Sequence, residues 1–394
     1  MLRNCRNGAA IMITVAAVAG ADGPWPWSGS YVNQTVQVLL VGDINVQKRA
    51  DPAGVFQHVR DTLNQADLVY GNLEGLLVKS EGPDKDIPDK SGWQHIGPDA
   101  VRALKAGNIA VVGVANNVAY GGDNIRKSIA VLDANHVLHT GGGANLDQAH
   151  QPAIVTRKGT RFGFLQYTAK WYLEDHQIAT ATEPGVARIL SSDGITVDPG
   201  DLNRLREDIR RLRPLVDVLI VTSHNRDGLA GRPNASAPAS AESRPARPED
   251  LVSPIVLGKR FSQAEPYEKE LAHAAIDAGA DLVYGHGSHV LQGVEVYRDK
   301  PILYCVGNFA MDWVRMRPNR EGMAIRLVAD GRKLLRVSFV PTSRDDENNV
   351  VMLDPNSGEG EQLVQKVKSL STAPLRIDGR EVVLLERAGA SGGN

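Results

Sequence analysis

Two histidines stand three residues apart in the run Gly285-His286-Gly287-Ser288-His289, directly after a short apolar stretch at 281–284. That stretch has the length and character of a buried strand. The glycines let the backbone turn tightly, so both imidazoles can face one space. Neutral imidazoles in such a pair suit a borderline divalent metal such as zinc, manganese or iron. Four other apolar stretches end in the same way. Residues 35–41 lead into Gly42-Asp43, 66–71 into Asn72-Leu73-Glu74, 109–115 into Asn116-Asn117, and 216–222 into Ser223-His224. Hard carboxylates, imidazoles and an amide oxygen together fit a two-metal hydrolytic centre. There a carboxylate bridges the ions, a bound water ionises more readily, and the oxygens of a phosphate-like transition state are clamped. Taken alone, His286 and His289 can equally be loop side chains without a task.

The segments between these stretches carry helical spacing. Val55, Phe56, Val59 and Leu63 share a face within 52–65, and 98–106 has a proline near its start and Gly107 as its stop. Asp123 is placed to cap a helix bearing Ile125, Ile129 and Leu132. A helix from Asp201 carries Leu202, Leu205, Ile209 and Leu212 on one face, with arginines on a solvated face opposite. Residues 267–278 form another helix closed by Gly279. Alternating strands and helices bring the carboxyl ends of parallel strands to one sheet edge, where distant residues converge. The hexapeptide ADLVYG occurs at 66–71 and again at 280–285. It marks either two helix–strand–ligand units doing equivalent work in two halves of one fold, or a chance recurrence of a good buried-strand sequence. Beyond Asp312, strands are expected at 323–328, 334–341 and 381–385, with a helix at 360–370.

The chain has 394 residues, a formal charge of −2 and 5% aromatics. These values give no reason to expect nucleic acid or an anionic membrane surface as partner. Arg3 and Arg6 precede an apolar run at 9–18 and the small-residue site Ala19-Gly20-Ala21, the pattern of a secretory signal over 1–21 and of an exported, periplasmic or cell-envelope protein. An uncleaved N-terminal anchor is the alternative. Residues 22–34 then read as a leader and 35–345 as the main domain, with a Pro/Ala/Ser-rich insertion at about 231–254. Residues 346–394 form an extension with a disordered tail. Cleavage removes Cys5. Cys305, alone in an apolar strand, reads as a small core side chain.

Several of these motifs carry a resemblance. GDIN at 42–45, ADLVYGNLEG at 66–75, VANN at 114–117, GADLVYGHGSHVLQGVEVY at 279–297 and KPILYCVGNF at 300–309 resemble the bacterial poly-gamma-glutamate capsule synthesis family, a branch of the metallo-dependent phosphatase-like (calcineurin-like phosphoesterase) superfamily. The resemblance implies a four-layer α/β/β/α sandwich with the site at the strand ends. It implies that Asp43, Glu74, Asn117, His224, His286 and His289 hold one or two divalent metals, with Glu74 bridging and with Asn117 and His224 the candidate catalytic residues. It implies an anionic capsule polymer or a membrane-bound polymer synthase as partner, and metal-assisted hydrolysis as chemistry. The chain departs from the family's pattern in three places. Val118 and Gly121 stand where a histidine and an aspartate are usual, and His224-Asn225-Arg226 stands where His-Trp-Gly is usual. Valine can neither protonate a leaving oxygen nor stabilise phosphoryl charge, so the alternative is a catalytically decayed accessory that binds polymer or synthase. Glu295 and Asn308 lie in the matched motifs, as a supporting acid and as a turn cap or site residue, and His95 is a candidate substitute acid.

Overall fold

The structure is a computed structural model that describes residues 24–27, 35–81, 86–87, 90, 92–170, 174–225 and 262–387. The expected signal segment 1–21 and the insertion at 231–254 lie outside the described residues. So do most of the leader and the end of the tail. No helix among the described residues is long and apolar enough to cross a membrane.

The chain folds as a mixed α/β protein around two large sheets. The larger runs, in hydrogen-bonded order, through Arg376–Asp378, Glu381–Glu386, Lys333–Arg344, Gly322–Asp330, Val36–Asn45, Leu68–Leu73, Ile109–Gly113 and Leu138–Thr140. Asn308–Met311 adds to Val36–Asn45, and Val350–Met352 adds to Lys333–Arg344. The smaller sheet runs through Val294–Tyr297, Lys300–Leu303, Leu282–His286, Val218–His224, Thr160–Thr168 and Ala153–Arg157. Strands 36–45, 68–73 and 109–113 are mutually parallel, as are strands 160–168, 218–224 and 282–286. Each set therefore presents its carboxyl ends at one edge.

One apolar cluster draws on both sheets, with Val38, Leu40, Tyr70 and Val111 from one and Phe164, Ile220, Leu282 and Tyr284 from the other. Helix Gly358–Leu370 adds Val364 and Val367 to it. A second cluster joins Leu39, Val41 and Val69 to Phe56, Leu63 and Leu104 of the helical segments. A third joins Leu219, Val221 and Val283 to Leu205 and Ile209 of helix Pro199–Leu212 and Leu271 and Ala275 of helix Pro266–Ala278. Strands buried on both faces explain why they read as apolar runs without alternation.

The two ADLVYG copies lie one in each sheet, and the Tyr70 and Tyr284 rings meet edge to face, 6.1 Å between centroids. Their aspartates do the same work. Asp67 exchanges hydrogen bonds with Gln37, N–H to carbonyl at 2.9 Å and carboxylate from N–H at 2.9 Å. Asp281 does so with Leu219, at 2.8 and 2.9 Å. Each aspartate clips the start of its strand to the parallel neighbour.

Local expectations change in four places. The first strand continues through Asp43 to Asn45 with irregular register on either side of Asp43, so that carboxylate projects from a strand and not from a turn. The 52–65 segment breaks into a 3-10 turn, Pro52–Phe56, and a short helix, Arg60–Gln65. Gly121, at φ +84°, occupies the cap of helix Gly122–Ala134, and Asp123 falls inside its first turn. Arg213, expected in water, donates to the Gly279 carbonyl and pairs with Asp281 at 2.6 Å, tying helix to strand. Cys305 is buried, and burial pushes its thiol up to about 12, as expected of a core side chain.

Candidate metal centre

Asp43, Glu74, Asn117, His224, His286 and His289 are all buried. The structure brings Asp43, Glu74 and His289 together, with one ligand-type atom of each within 4.8 Å of the others. His286 Nδ1 lies 3.1 Å from Asp43 Oδ1, and His289 Nδ1 lies 3.5 Å from Asp43 Oδ2. His289 Nε2 lies 3.9 Å from Glu74 Oε1. Asn117 Oδ1 and His224 Nε2 are 2.8 Å apart. Strands 218–224 and 282–286 hold His224 and His286 in direct register.

Close backbone approach builds this corner. Asp43 pairs in register with Asn308 on the parallel strand 308–311, and its N–H donates to the Gly307 carbonyl. A Cβ on Gly42 would lie 2.3 Å from that carbonyl oxygen, so only glycine fits. His289 adopts φ +59°, uncommon for a residue with a side chain. The Asn319 amide bonds its carbonyl, and Asn308 Oδ1 lies 2.8 Å from its Nδ1. An N–H at Nδ1 directed to Asn308 leaves Nε2 with its lone pair towards Glu74, the kind of support that fixes a metal-binding tautomer.

Several residues prove to be supports. Asn72 Nδ2 donates to Asp43 Oδ1 at 2.7 Å, and its Oδ1 accepts from Gln166 at 2.8 Å and Asn116 at 3.3 Å, so this amide orients the aspartate. Asn116 also donates to the Leu73 carbonyl. Glu295 accepts from Tyr304 Oη at 2.5 Å and meets His273 at 2.9 Å, away from the centre. His95 is buried with neither ring nitrogen hydrogen-bonded. Sequence reasoning missed Gln166, which reaches Asn72 from the other sheet. A glutamine inside a nine-residue strand carries no signal of such a task.

The electrostatics match a cation site. Burial opposes ionisation of Asp43, but the His286 ring beside it, with His289 and His224 further off, outweighs burial and holds the carboxylate well below its usual range. Burial raises Glu74, an effect only partly offset by His289. Burial drives His224 well below the ordinary histidine value. Asp43 Oδ2, both Glu74 oxygens, His224 Nδ1 and both His286 nitrogens are buried without a hydrogen-bond partner. Buried charges carry a desolvation cost that an opposite charge must offset. The donor set therefore fits a divalent cation.

Burial also lowers His95. The folded chain thus binds fewer protons at His95 and His224 than the unfolded chain, whose histidines titrate near about 6.5. Stability from this source is complete above that value and falls as pH drops below it. Denaturant unfolding at about pH 7.5 and about pH 5.5 is expected to show the loss, and His95→Leu is expected to shrink it. Equal pH dependence in the two proteins would exclude His95 as a contributor.

The fold and the convergent donors define an α/β protein with a buried carboxylate–histidine–amide centre at its strand ends. The family model described as bacterial capsule synthesis protein PGA_cap matches residues 37–248 and 251–313, and the chain belongs to that family. An uncharacterized protein y4uA of Sinorhizobium fredii is 28% identical over 337 residues, 75% of this chain and 70% of that protein. The capsule biosynthesis protein CapA of Bacillus anthracis is 24% identical over 299 residues, 72% of this chain and 62% of its own. The PGA biosynthesis protein CapA of Bacillus subtilis is 25% identical over 298 residues, 74% and 65% respectively. The alignments thus span slightly less than two thirds of each CapA protein.

Proposed function

We propose that this chain is an exported, metal-binding protein of the cell envelope that acts in synthesis or export of an anionic capsule polymer such as poly-gamma-glutamate. On this reading the two sheets and their helices form the four-layer α/β/β/α sandwich of the metallo-dependent phosphatase type. Asp43, Glu74, Asn117, His224, His286 and His289 hold the divalent ion or ions. The observation that carries the reading is the close grouping of Asp43, Glu74 and His289, with buried atoms on Asp43, Glu74, His224 and His286 that have no hydrogen-bond partner. A bound divalent metal would supply Lewis-acid polarisation and an acidified water for hydrolysis. The chain's own residues hold that chemistry in place. Asn72 and Asn308 orient Asp43 and His289, the buried walls exclude bulk water, and the Asn117–His224 pair faces the reacting group.

Elemental analysis of the purified protein is expected to find near-stoichiometric transition metal. A His286→Ala/His289→Ala double variant is expected to lose it. A folded wild type that takes up no metal on reconstitution would sink the proposal. The second reading, a non-catalytic accessory that binds polymer or synthase, is favoured by Val118. It is wholly buried among Ile87, Trp93, Val290, Met311, Trp313 and Met316, so apolar packing fills the place of an acid. Absence of turnover of a chromogenic phosphodiester by the metal-loaded protein would favour this reading.

A further inference from the structure

A cavity of about 540 Å³ lies among the helical segments beside the smaller sheet. Helix Pro199–Leu212 supplies Asp201 and Arg204 to its lining, and His150 enters from the end of the short helix Leu146–Ala149. The His150 side chain is only 7% exposed, and its Nδ1 lies 2.7 Å from Asp208 Oδ2. Tyr167 Oη donates to the same oxygen at 3.0 Å. A carboxylate only accepts, so His150 carries its proton on Nδ1. Nε2, on the ring edge away from Asp208, then presents a lone pair to the cavity, and no described residue donates to it. Arg204 lies one turn before Asp208, about 6 Å along the helix and on the same face. It makes no hydrogen bond or ion pair with a described residue. Its charge is felt at the Tyr167 phenol, which burial and Asp208 together hold well above the usual range. The other guanidinium, that of Arg188, is occupied by Glu174 at 2.5 Å and Asp201 at 2.9 Å. Leu146, Ile178 and Ala179 make the rest of the wall apolar.

We propose that this cavity binds a free α-amino acid with an aliphatic side chain. Its carboxylate lies on Arg204, its ammonium on His150 Nε2, and its side chain against Leu146, Ile178 and Ala179. The site is separate from the metal centre and does not depend on it. Each polar group of the ligand answers one unpartnered group of the protein. A guanidinium takes a carboxylate through two parallel N–H groups. An imidazole lone pair backed by a carboxylate takes an N–H donor. Both groups stand close to Tyr167 and Asp208, as the adjoining carboxylate and ammonium of an α-amino acid require. Charge disfavours a simple anion. The lining sets the carboxylates of Glu174, Asp175 and Asp201 against two guanidiniums, and Asp208 stands behind His150. A phosphate or a dicarboxylate would face that excess, whereas a zwitterion adds no net charge. Three contacts of different kinds, not in line, also distinguish the two mirror forms of the ligand.

Calorimetric titration of the purified protein with L-leucine and with D-leucine tests this. One enantiomer is expected to bind with a dissociation constant of about 1 mM or tighter. Isocaproate, which lacks the ammonium, and leucinol, which lacks the carboxylate, are each expected to bind at least about tenfold more weakly. Glutamate, with its second carboxylate, is expected to do the same. Arg204→Gln alters an exposed position and is expected to weaken leucine binding about tenfold with the melting temperature unchanged. His150→Gln, which can still donate to Asp208, is expected to weaken it to a similar extent. No binding of either enantiomer by the folded wild type would overturn the proposal. So would binding of isocaproate as tight as that of leucine, or wild-type affinity in folded Arg204→Gln. Should His150→Gln fail to fold, the isocaproate comparison still tests the ammonium contact.

Discussion

Gly42→Ala is expected to lower the melting temperature by about 5 °C or more and to strip the centre of its metal. The new Cβ would lie 2.3 Å from the Gly307 carbonyl oxygen and 3.2 Å from Phe309 N. Both are backbone atoms of the segment that pairs with Asp43, so no side chain can rotate away. Relief requires strand 308–311 to move outward, which breaks the Asp43–Asn308 register and carries off the oxygen that fixes His289. Overpacking of this kind costs on the order of 3 kcal/mol. Gly54→Ala is the control, since its nearest neighbour is the Asp51 side chain at 3.2 Å, which can swing aside. Parallel thermal melts and metal analyses would check the pair. A Gly42→Ala protein with wild-type stability would show that the strand yields freely.

Val118→His is expected to destabilise the protein without creating a hydrolase. The substitution restores the residue usual in the family's pattern, but the pocket no longer suits it. A histidine there buries ring nitrogens among apolar side chains, at about 1–3 kcal/mol for an unmatched polar group and about 1–3 kcal/mol for added volume. The neighbouring position has changed as well. Gly121 sits at φ +84°, where an aspartate would be strained. Turnover of a phosphodiester by the metal-loaded variant is therefore expected to stay at the wild-type level while the unfolding midpoint drops. A large gain in turnover would show that Val118 alone had silenced an otherwise intact enzyme.

Much of the candidate centre was legible because the residues expected to be ligands follow buried strands. The apolar runs ending at Asp43, Glu74, Asn117, His224 and His286 are continuous enough to announce themselves, and the fold brings their ends together. What stayed hidden depends on tertiary pairing. Asn308–Met311 is four residues long and becomes a strand only beside Val36–Asn45. The role of Asn308 could not be read without that partner. Gln166 reaches the centre across the gap between sheets, and sequence distance gives no hint of it. The helix expected over 52–65 broke because Pro52 and Gly54 favour a tight turn over a regular helix.

The aspartates that open the two ADLVYG strands bear on more than their own hydrogen bonds. A side chain in a strand changes face with every one-residue slip. A centre assembled by convergence is therefore only as accurate as the phase in which its strands begin. Asp67 and Asp281 set that phase at the far edge, about 23 Å of strand before Glu74 and about 17 Å before His286. Selection thus has a remote handle on the site's aim, because the geometry of the centre can be adjusted, or spoiled, by changes that touch none of its ligands.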